Sequence, residues 1–323
     1  MLQKFRVAKY EVVLEAGKEG LNLPPYKGST LRGGFGGAFQ KLVCSQRDKT
    51  CKVCLLHGNC PYAYVFETAP HLGAEALRNY ENVPRPFVLE PPLEKKTVYA
   101  PGESLRFNLL LFGKAVDYLA YFILVFRELG ETGIGKGRKK YGLKEVAAVS
   151  PVDGRREVIF HGAELLVRNV DLSFKGADIA GMYRFMEEFG SGEQGRVTVG
   201  YQTMTRIKYK DSFAGRIEFH MLVRNLLRRL SSLAYFHHGW ELELDFVRLI
   251  ELAGGVRIVE DNTRWVDWER FSSRQDAKIN MGGVVGQVVY EGDLEKFKPL
   301  LKLAELVHVG KGVVFGMGKV VVL

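Results

Sequence analysis

The cysteines are the residues whose type and spacing most clearly indicate chemistry. Cys44, Cys51, Cys54 and Cys60 are the four cysteines of the 323-residue chain, in the arrangement C-x6-C-x2-C-x5-C. Four thiolates satisfy a tetrahedral metal, with Cys51 and Cys54 as the closely spaced chelating pair. The first ten residues carry no apolar core or cleavage site of a signal peptide, so we expect a cytoplasmic protein with reduced thiols and no disulfide framework. The spacing therefore predicts a metal centre.

The identity of the metal stays open between two candidates, because zinc and a 4Fe–4S cluster both accept four thiolates. The spacing resembles the iron–sulfur loop of endonuclease-III-type DNA glycosylases, although no helix-hairpin-helix motif precedes it. We favour the 4Fe–4S cluster over zinc. All four ligands come from the protein, which leaves no position for substrate, so we expect a structural role and no catalytic metal. We interpret His57 as a loop residue.

The charge of the chain indicates a polyanionic partner. Lysine and arginine number 46 against 37 acidic residues, for a formal net charge of +9. The basic residues cluster, which favours phosphate contacts with counterion release. The longest apolar run, residues 118–126, is far shorter than the ~20 residues that cross a bilayer, so no membrane partner is predicted. The clusters are Lys136, Arg138, Lys139 and Lys140; Arg206, Lys208 and Lys210; and Arg224, Arg228 and Arg229.

A glycine-rich, lysine-bearing motif occurs twice. Ile134-Gly-Lys-Gly-Arg-Lys-Lys-Tyr-Gly-Leu-Lys144 is echoed by Val309-Gly-Lys-Gly-Val-Val-Phe-Gly-Met-Gly-Lys319. Glycines allow backbone N–H groups to approach phosphates, and lysines add charge, so both loops are predicted phosphate sites. Residues 130–136 match most of a nucleotide-binding P-loop, but Gly137 replaces the required Ser or Thr, which argues against nucleotide hydrolysis. The candidate binding residues in the second loop are Gly310, Lys311, Gly312, Gly316, Gly318 and Lys319.

The elements that position these motifs repeat in the order βαββαβ. The hydrophobic pattern predicts, in the first half, strands at 5–15, 86–89 and 105–111, helices at 31–43 and 115–129, and a last strand. In the second half it predicts strands at 196–208, 256–260, 283–290 and 313–323, with helices at 217–236 and 294–307, the latter capped by Asp293. Residues 33–37 contain four glycines, which indicate either a close approach to that helix or a loop.

This order predicts an α+β fold with two ferredoxin-like, RRM-like domains in tandem. The first spans residues 1–150 with the cysteine loop 44–60 inserted, a hairpin and linker span 151–195, and the second spans 196–323 with the glycine-rich loop 309–319. In this topology the last loop lies at the end of the sheet where the first strand ends. We therefore expect Lys311 to lie near Arg206, Lys208 and Lys210.

Several stretches together resemble the RAMP superfamily of CRISPR systems, specifically its repeat-processing endoribonucleases. In the second half they are Leu226-Leu-Arg-Arg-Leu230, Phe236-His-His-Gly239, Gly282-Gly-Val-Val-Gly286 and Glu305-Leu-Val-His-Val-Gly-Lys-Gly312. The first half adds Arg32-Gly-Gly-Phe35 and Cys60-Pro-Tyr62. The resemblance implies metal-independent cleavage of precursor CRISPR RNA within each repeat: the 2′-hydroxyl attacks the adjacent phosphate and leaves a 2′,3′-cyclic phosphate. Its partners would be CRISPR repeat RNA and CRISPR effector subunits.

Two other interpretations stay open. A non-catalytic RAMP subunit that holds guide RNA in an effector complex would explain the charge, duplication and loops equally well. A redox-sensing or iron–sulfur nucleic-acid enzyme would give the cysteines a central role.

The catalytic candidates follow from the need for a general acid and a general base, which histidine suits because its pKa lies near neutrality. His220 lies on the basic face of its helix, and His308 immediately precedes the glycine-rich loop. His237 and His238 end a helix, and Tyr26 lies before the first helix, where the resemblance implies catalytic residues. Arg32 completes the candidate RNA-binding residues.

Overall fold

The computed structural model describes residues 5–46, 51–68, 83–176, 195–272 and 277–323. The chain divides into two compact units. The first consists of Arg6–Phe174 and Ser232–Trp240, and the second contains the described parts of Lys175–Ser231 and Glu241–Leu323. The first unit thus extends beyond residue 150, where the sequence analysis ends its first domain, and it includes a short segment from late in the chain. Residues 177–194, the later part of the predicted linker, lie outside the described residues.

The first unit is built on an antiparallel sheet in which the strands have the order β3-β5-β1-β6-β7. Its long strands β1 and β5 pair from Val7 with Phe112 to Glu15 with Ser104. Its elements are β1 (Arg6–Ala16), β2 (Leu21–Asn22), α1 (Gly28–Val43), α2 (Pro61–Phe66), β3 (Phe87–Glu90), β4 (Val98–Tyr99), β5 (Ser104–Phe112), α3 (Leu119–Thr132), β6 (Tyr141–Val149), β7 (Arg156–His161) and β8 (Phe174–Lys175).

The core of the first unit is aromatic and forms where α1 packs against α3. Phe35 of α1 stacks on Phe122 of α3 with ring centroids 4.9 Å apart, and on Phe66 of α2 at 5.8 Å. The glycine-rich segment is helical, so the loop alternative is wrong. A β-carbon on Gly34 would lie 3.1 Å from a methyl of Leu129, and one on Gly36 would lie 2.9 Å from the Phe66 ring. Close approach of neighbouring helices therefore explains these two glycines.

The second unit has an antiparallel sheet with the order β12-β15-β9-β16. Two short hairpins, β10 with β11 and β13 with β14, stand apart from this sheet. Its elements are β9 (Gly195–Thr205), β10 (Lys208–Tyr209), β11 (Ser212–Phe213), α4 (Phe219–Leu233), α5 (Phe246–Gly254), β12 (Arg257–Val266), β13 (Glu269–Ser272), β14 (Ala277–Asn280), β15 (Gly283–Gly292), α6 (Lys298–Val307) and β16 (Val320–Val322). A π-helical turn, Ala234–His238, continues α4 and belongs to the first unit.

The predicted α+β class is confirmed, and the differences lie at the ends of elements. The last strand is only Val320–Val322, because residues 313–315 form a 3₁₀ turn between glycines of left-handed conformation. The predicted cap at Asp293 is wrong, since Leu294 precedes a 3₁₀ turn and α6 begins at Lys298. Among the described residues, no helix combines the length and apolar character needed to span a membrane.

Candidate nucleic-acid interface

The glycine-rich loop of the second unit runs from α6 to β16 and closes on itself. The Val309 N–H donates to the Gly318 carbonyl at 2.9 Å, and the Gly318 N–H donates to Met204 of β9 at 3.1 Å. Gly318 has a φ of +69°, and a β-carbon there would lie 1.7 Å from the Val309 carbonyl oxygen. Only glycine fits this position, since any side chain would displace the backbone.

The start of this loop is attached to the chain that leaves β9. The Lys311 N–H donates to the Arg206 carbonyl at 2.9 Å. The Gly310 N–H donates to Oδ1 of Asn225 on α4 at 2.7 Å. Gly310 has a φ of +85°, and its β-carbon would lie 2.5 Å from the Arg206 carbonyl oxygen. The neighbourhood of Lys311 and Arg206 expected from the topology is therefore observed.

Arg206, Lys208, Arg228 and Lys311 lie together at this attachment. We call these four residues, with Lys210 of the β10–β11 hairpin and Arg224 one turn before Arg228 on α4, the basic surface. Burial lowers the pKa of Lys311, and the charges of Arg228 and Lys208 lower it further. Lys208 is partly neutralised by Asp211, whose carboxylate lies 2.9 Å from its ammonium. Closely spaced cations form a region of positive potential, which is what a phosphate backbone requires. Arg229 is not part of it, because its side chain is buried and donates to the Val307 carbonyl at 2.5 Å.

Aromatic side chains lie among these cations. The Arg206 guanidinium lies 4.1 Å from the centroid of the Phe213 ring, and the Lys210 ammonium lies 5.6 Å from that of Tyr209. Exposed aromatic rings beside cations are the groups on which unpaired bases stack. The sequence analysis missed Tyr209, Phe213 and Asn225. The alternation of basic and aromatic residues at 206–213 is the signal that could have found the first two.

His220 is the histidine that lies at the basic surface. It is half-buried on the first turn of α4, and its ring meets the Tyr209 ring edge-on with centroids 5.4 Å apart. A partly exposed imidazole beside cations and an aromatic ring can exchange a proton with a group that binds there.

His308, in contrast, is fully buried where α6 ends. Its Nδ1 lies 2.9 Å from the Met317 carbonyl oxygen, and its backbone has a φ of +60°. This geometry holds the glycine-rich loop against the end of the helix. We therefore interpret His308 as a structural residue.

The His237–His238 pair belongs to the first unit, in the π-helical turn. His237 is buried, with Nε2 at 2.6 Å from the Pro84 carbonyl oxygen and Nδ1 at 3.2 Å from the Tyr64 hydroxyl. His238 accepts from the Arg6 N–H through Nε2 at 2.9 Å, and its Nδ1 lies 3.0 Å from the Leu233 carbonyl oxygen. Burial lowers the pKa of His238. Both rings therefore connect backbone segments within this unit.

The corresponding loop of the first unit docks in the same way. The Lys136 N–H donates to the Asn22 carbonyl at 3.0 Å, and a β-carbon on Gly135 would lie 2.3 Å from that oxygen. Its charges differ from those of the second loop, because Lys139 pairs with Glu19 and Lys140 lies 3.4 Å from the carboxylate of Glu131. Lys136 and Arg138 are exposed.

Two family profiles match this chain. The profile AF_1859_N, described as an N-terminal domain, matches residues 5–172, and that of the CRISPR-associated endoribonuclease Cas6 matches residues 199–320. The chain belongs to the family of the AF_1859_N profile, which covers more than half of it, and the Cas6 match is confined to residues 199–320. The Cas6 match contains the glycine-rich loop, the basic surface and His220.

Solved structures share the fold at low sequence identity. A Cas6 product complex is 16% identical with a TM-score of 0.56, and the match covers 98% of this chain and 100% of that one. Thermus thermophilus Cas6 is 15% identical with a TM-score of 0.54 over 99% of both chains. A partial Cas6-RT-Cas1–Cas2 complex matches at 12% identity and a TM-score of 0.59, over all of this chain and 47% of that one.

An uncharacterized protein of Archaeoglobus fulgidus is 31% identical over 149 residues. That alignment covers 46% of this chain and 48% of the relative, so it spans about half of each protein.

Two of the residues predicted from sequence lie at α1 of the first unit, within the part of the chain that the AF_1859_N profile matches. Tyr26 is half-buried just before the helix, and the Arg32 guanidinium lies 4.9 Å from the centroid of the Phe66 ring. Between them lies Lys27, which the sequence analysis did not select. Its side chain is buried, Nζ donates to the Glu94 carbonyl at 3.0 Å, and burial lowers its pKa.

The four cysteines lie between α1 and α2 as free, half-buried thiols. Burial raises the pKa of the Cys51 thiol. The charge of Glu67 raises this pKa further, and so do the other three cysteines, so these three thiols lie near Cys51. In the described part of the chain, however, no three His, Cys, Asp or Glu side chains are arranged to hold a metal ion. The donor type therefore fits a metal, while the side chains do not converge on one point.

Proposed function

We propose that this protein is an endoribonuclease that binds CRISPR repeat RNA and cleaves precursor CRISPR RNA into guide RNAs. The observation that carries the proposal is the basic surface around the glycine-rich loop, with His220 at its edge. In both sheets the four strands of a βαββαβ unit lie side by side in the order second, third, first, fourth. This order supports two tandem ferredoxin-like domains. The glycine-rich loop would lie against the RNA backbone, and Tyr209 and Phe213 would stack with unpaired bases.

The proposed reaction requires no metal. The 2′-hydroxyl of one nucleotide loses its proton to a base and attacks the adjacent phosphorus. The bond to the 5′-oxygen breaks as that oxygen takes up a proton, leaving a 2′,3′-cyclic phosphate and a 5′-hydroxyl. His220 would carry one of these proton transfers, and Lys311 with Arg228 would stabilise the charge on the phosphorane.

The test is a denaturing-gel assay of end-labelled repeat RNA with excess EDTA, beside RNA that has a single 2′-deoxy substitution at the cut. We expect one EDTA-resistant cut that disappears with the substitution. We expect His220→Ala to lower the cleavage rate about 10²–10⁴-fold while RNA affinity stays within a few-fold. His161→Ala is the matched control, because His161 is a half-buried histidine of the first unit. Full activity of His220→Ala would remove this histidine from the mechanism.

The alternative is a non-catalytic subunit that holds guide RNA within a CRISPR effector complex. The observation that favours it is that His308, His237 and His238 are engaged in structural contacts, which leaves one of the four candidate histidines at the basic surface. A protein that only holds RNA needs the cations and not the acid and base. Tight binding of repeat RNA without any cut would support this alternative and overturn the proposed cleavage.

A further inference from the structure

The described parts of the cysteine loop, residues 44–46 and 51–60, lack a hydrophobic core of their own. Of the loop residues whose side chains the structure describes, none is buried. Three apolar side chains point outward instead: Val53, Leu55 and Leu56 are 70%, 91% and 51% exposed. Yet the loop forms defined turns, 3₁₀ at Cys51–Val53 and again at His57–Asn59. Ordering a loop costs conformational entropy at every residue, and burial of apolar surface does not offset that cost here.

The cysteines occupy the points where the loop changes direction. Cys44 follows the last residue of α1, and Cys60 precedes the first residue of α2. The Cys54 N–H donates to the Cys51 carbonyl at 3.3 Å, so these two residues begin and end one turn, and the His57 N–H donates to the Cys54 carbonyl at 3.0 Å. In zinc and iron–sulfur sites, a chelating pair usually consists of two cysteines that are three residues apart. A turn places both of them on the same side of the chain.

The two helix ends that carry the outer cysteines are held by packing that does not depend on the loop. Phe39 of α1 meets Tyr62 and Phe66 of α2 edge-on, with ring centroids 5.9 Å apart in both pairs. Cys44 and Cys60 are thereby anchored to the rigid part of the first unit, while Cys51 and Cys54 lie on the loop between them.

From this arrangement we propose that Cys44, Cys51, Cys54 and Cys60 bind a metal centre through four thiolates and that this centre stabilises the loop. All four cysteines are half-buried and none is in a disulfide, so each thiol is available as a ligand. The centre is structural, because four protein ligands leave no position for a substrate. It is independent of the proposed RNA cleavage, which uses no metal.

The test is the metal content of the full-length protein, purified anaerobically without added chelator. Elemental analysis with an assay for acid-labile sulfide separates the two sources: one zinc per chain, or four irons with sulfide. Either result supports the proposal. A protein that contains neither metal, and that also fails to bind Co²⁺ with the absorption of a tetrahedral thiolate complex after reduction, overturns it.

Variants separate ligation from a general effect on folding. Cys51→Ser and Cys60→Ser should each lower the bound metal at least several-fold, because three thiolates hold the centre less tightly than four. His57→Ala and Ser45→Ala are matched controls from the same loop and should keep the metal content of the wild type. Limited proteolysis provides a second readout: loss of the metal should expose residues 44–60 to cleavage while the rest of the first unit stays resistant. Equal metal content in wild type and both cysteine variants contradicts the assignment of these ligands.

Discussion

His238 connects two backbone segments of the first unit through a neutral ring. Its Nε2 accepts from the Arg6 N–H at 2.9 Å, so in the folded protein the proton sits on Nδ1, which faces the Leu233 carbonyl. Burial lowers the pKa of this ring from its ordinary value of 6.5, and the charge of Arg6 acts in the same direction. When Nε2 is protonated it can no longer accept from the Arg6 N–H, and the Arg6 carbonyl oxygen at 3.2 Å only partly compensates, because burial still lowers the pKa.

This pKa shift predicts that the first unit loses stability in mild acid. The pKa is lower in the folded than in the unfolded state, so the contribution of His238 is complete above the unfolded pKa and is lost as the pH falls through the folded pKa. We expect the free energy of unfolding in urea to decrease from about pH 8 to about pH 5, and His238→Gln to make that decrease shallower. An identical slope in variant and wild type would contradict this origin of the pH dependence.

The glycine-rich loop of the second unit is an element whose shape depends on particular glycines. Gly310→Ala would place a β-carbon 2.5 Å from the Arg206 carbonyl oxygen at a φ of +85°. The added methyl group would force the loop away from the Arg206 backbone. We therefore expect this substitution to cost more than ~1 kcal/mol of stability and to lower the affinity for RNA several-fold. Thermal unfolding and fluorescence anisotropy with labelled RNA measure the two effects.

The matched control for this prediction is Gly215→Ala in the same unit. Gly215 does not have a positive φ, and a β-carbon there meets no atom within 4 Å among those described. The Gly215→Ala substitution should leave the stability and the RNA affinity near their wild-type values. If Gly310→Ala bound RNA as tightly as Gly215→Ala does, the loop geometry would not matter for binding.

The helix α1 offers a second prediction at this scale, because its glycines differ in surroundings. A β-carbon on Gly37 meets no described atom within 4 Å, whereas one on Gly36 lies 2.9 Å from the Phe66 ring. That ring has little freedom to move, since it also packs on Phe87 with centroids 5.3 Å apart. We expect Gly37→Ala to stabilise the protein by ~0.5–1 kcal/mol and Gly36→Ala to destabilise it. Urea unfolding of the two variants measures both signs, and a change of the same sign in both would contradict the packing explanation.

How far the sequence predicts these elements depends on their length. The long helices and strands of both units follow hydrophobic periodicity, so their order and the proximity of Lys311 to Arg206 could be predicted. The hairpin β10–β11 could not, because it is short and turns through Lys210 and Asp211, both of positive φ. His308 ends α6 with a φ of +60° and a ψ of 167°, a conformation that favours glycine, so the sequence does not reveal the burial of this histidine. Only the tertiary structure therefore shows which candidate histidines are buried in structural contacts and which one lies at the basic surface.

At the scale of the whole molecule, the two units carry equivalent loops with different electrostatic surroundings. Both loops donate a lysine N–H to the backbone that follows the first strand, at Asn22 in one unit and Arg206 in the other. In the first unit Glu19 and Glu131 pair with Lys139 and Lys140. In the second, Lys311 lies among cations that lower its pKa. The two loops thus dock through the same type of backbone hydrogen bond, but Lys139 and Lys140 of the first loop lie beside carboxylates, whereas Lys311 of the second lies beside other cations.

This asymmetry predicts which loop dominates the salt dependence of RNA binding. Each phosphate contact by a lysine adds about 0.7 to the slope of log affinity against log salt for single-stranded RNA. We expect Lys311→Ala to reduce that slope by about this amount and to weaken binding equally for repeat and unrelated RNA, because phosphate contacts carry no sequence information. Lys140→Ala is the comparison, and its slope should stay near that of the wild type because Glu131 already balances this lysine. Anisotropy titrations at several KCl concentrations give the slopes. Equal reductions in both variants would show that the two loops contact phosphates alike, despite the carboxylates in the first unit.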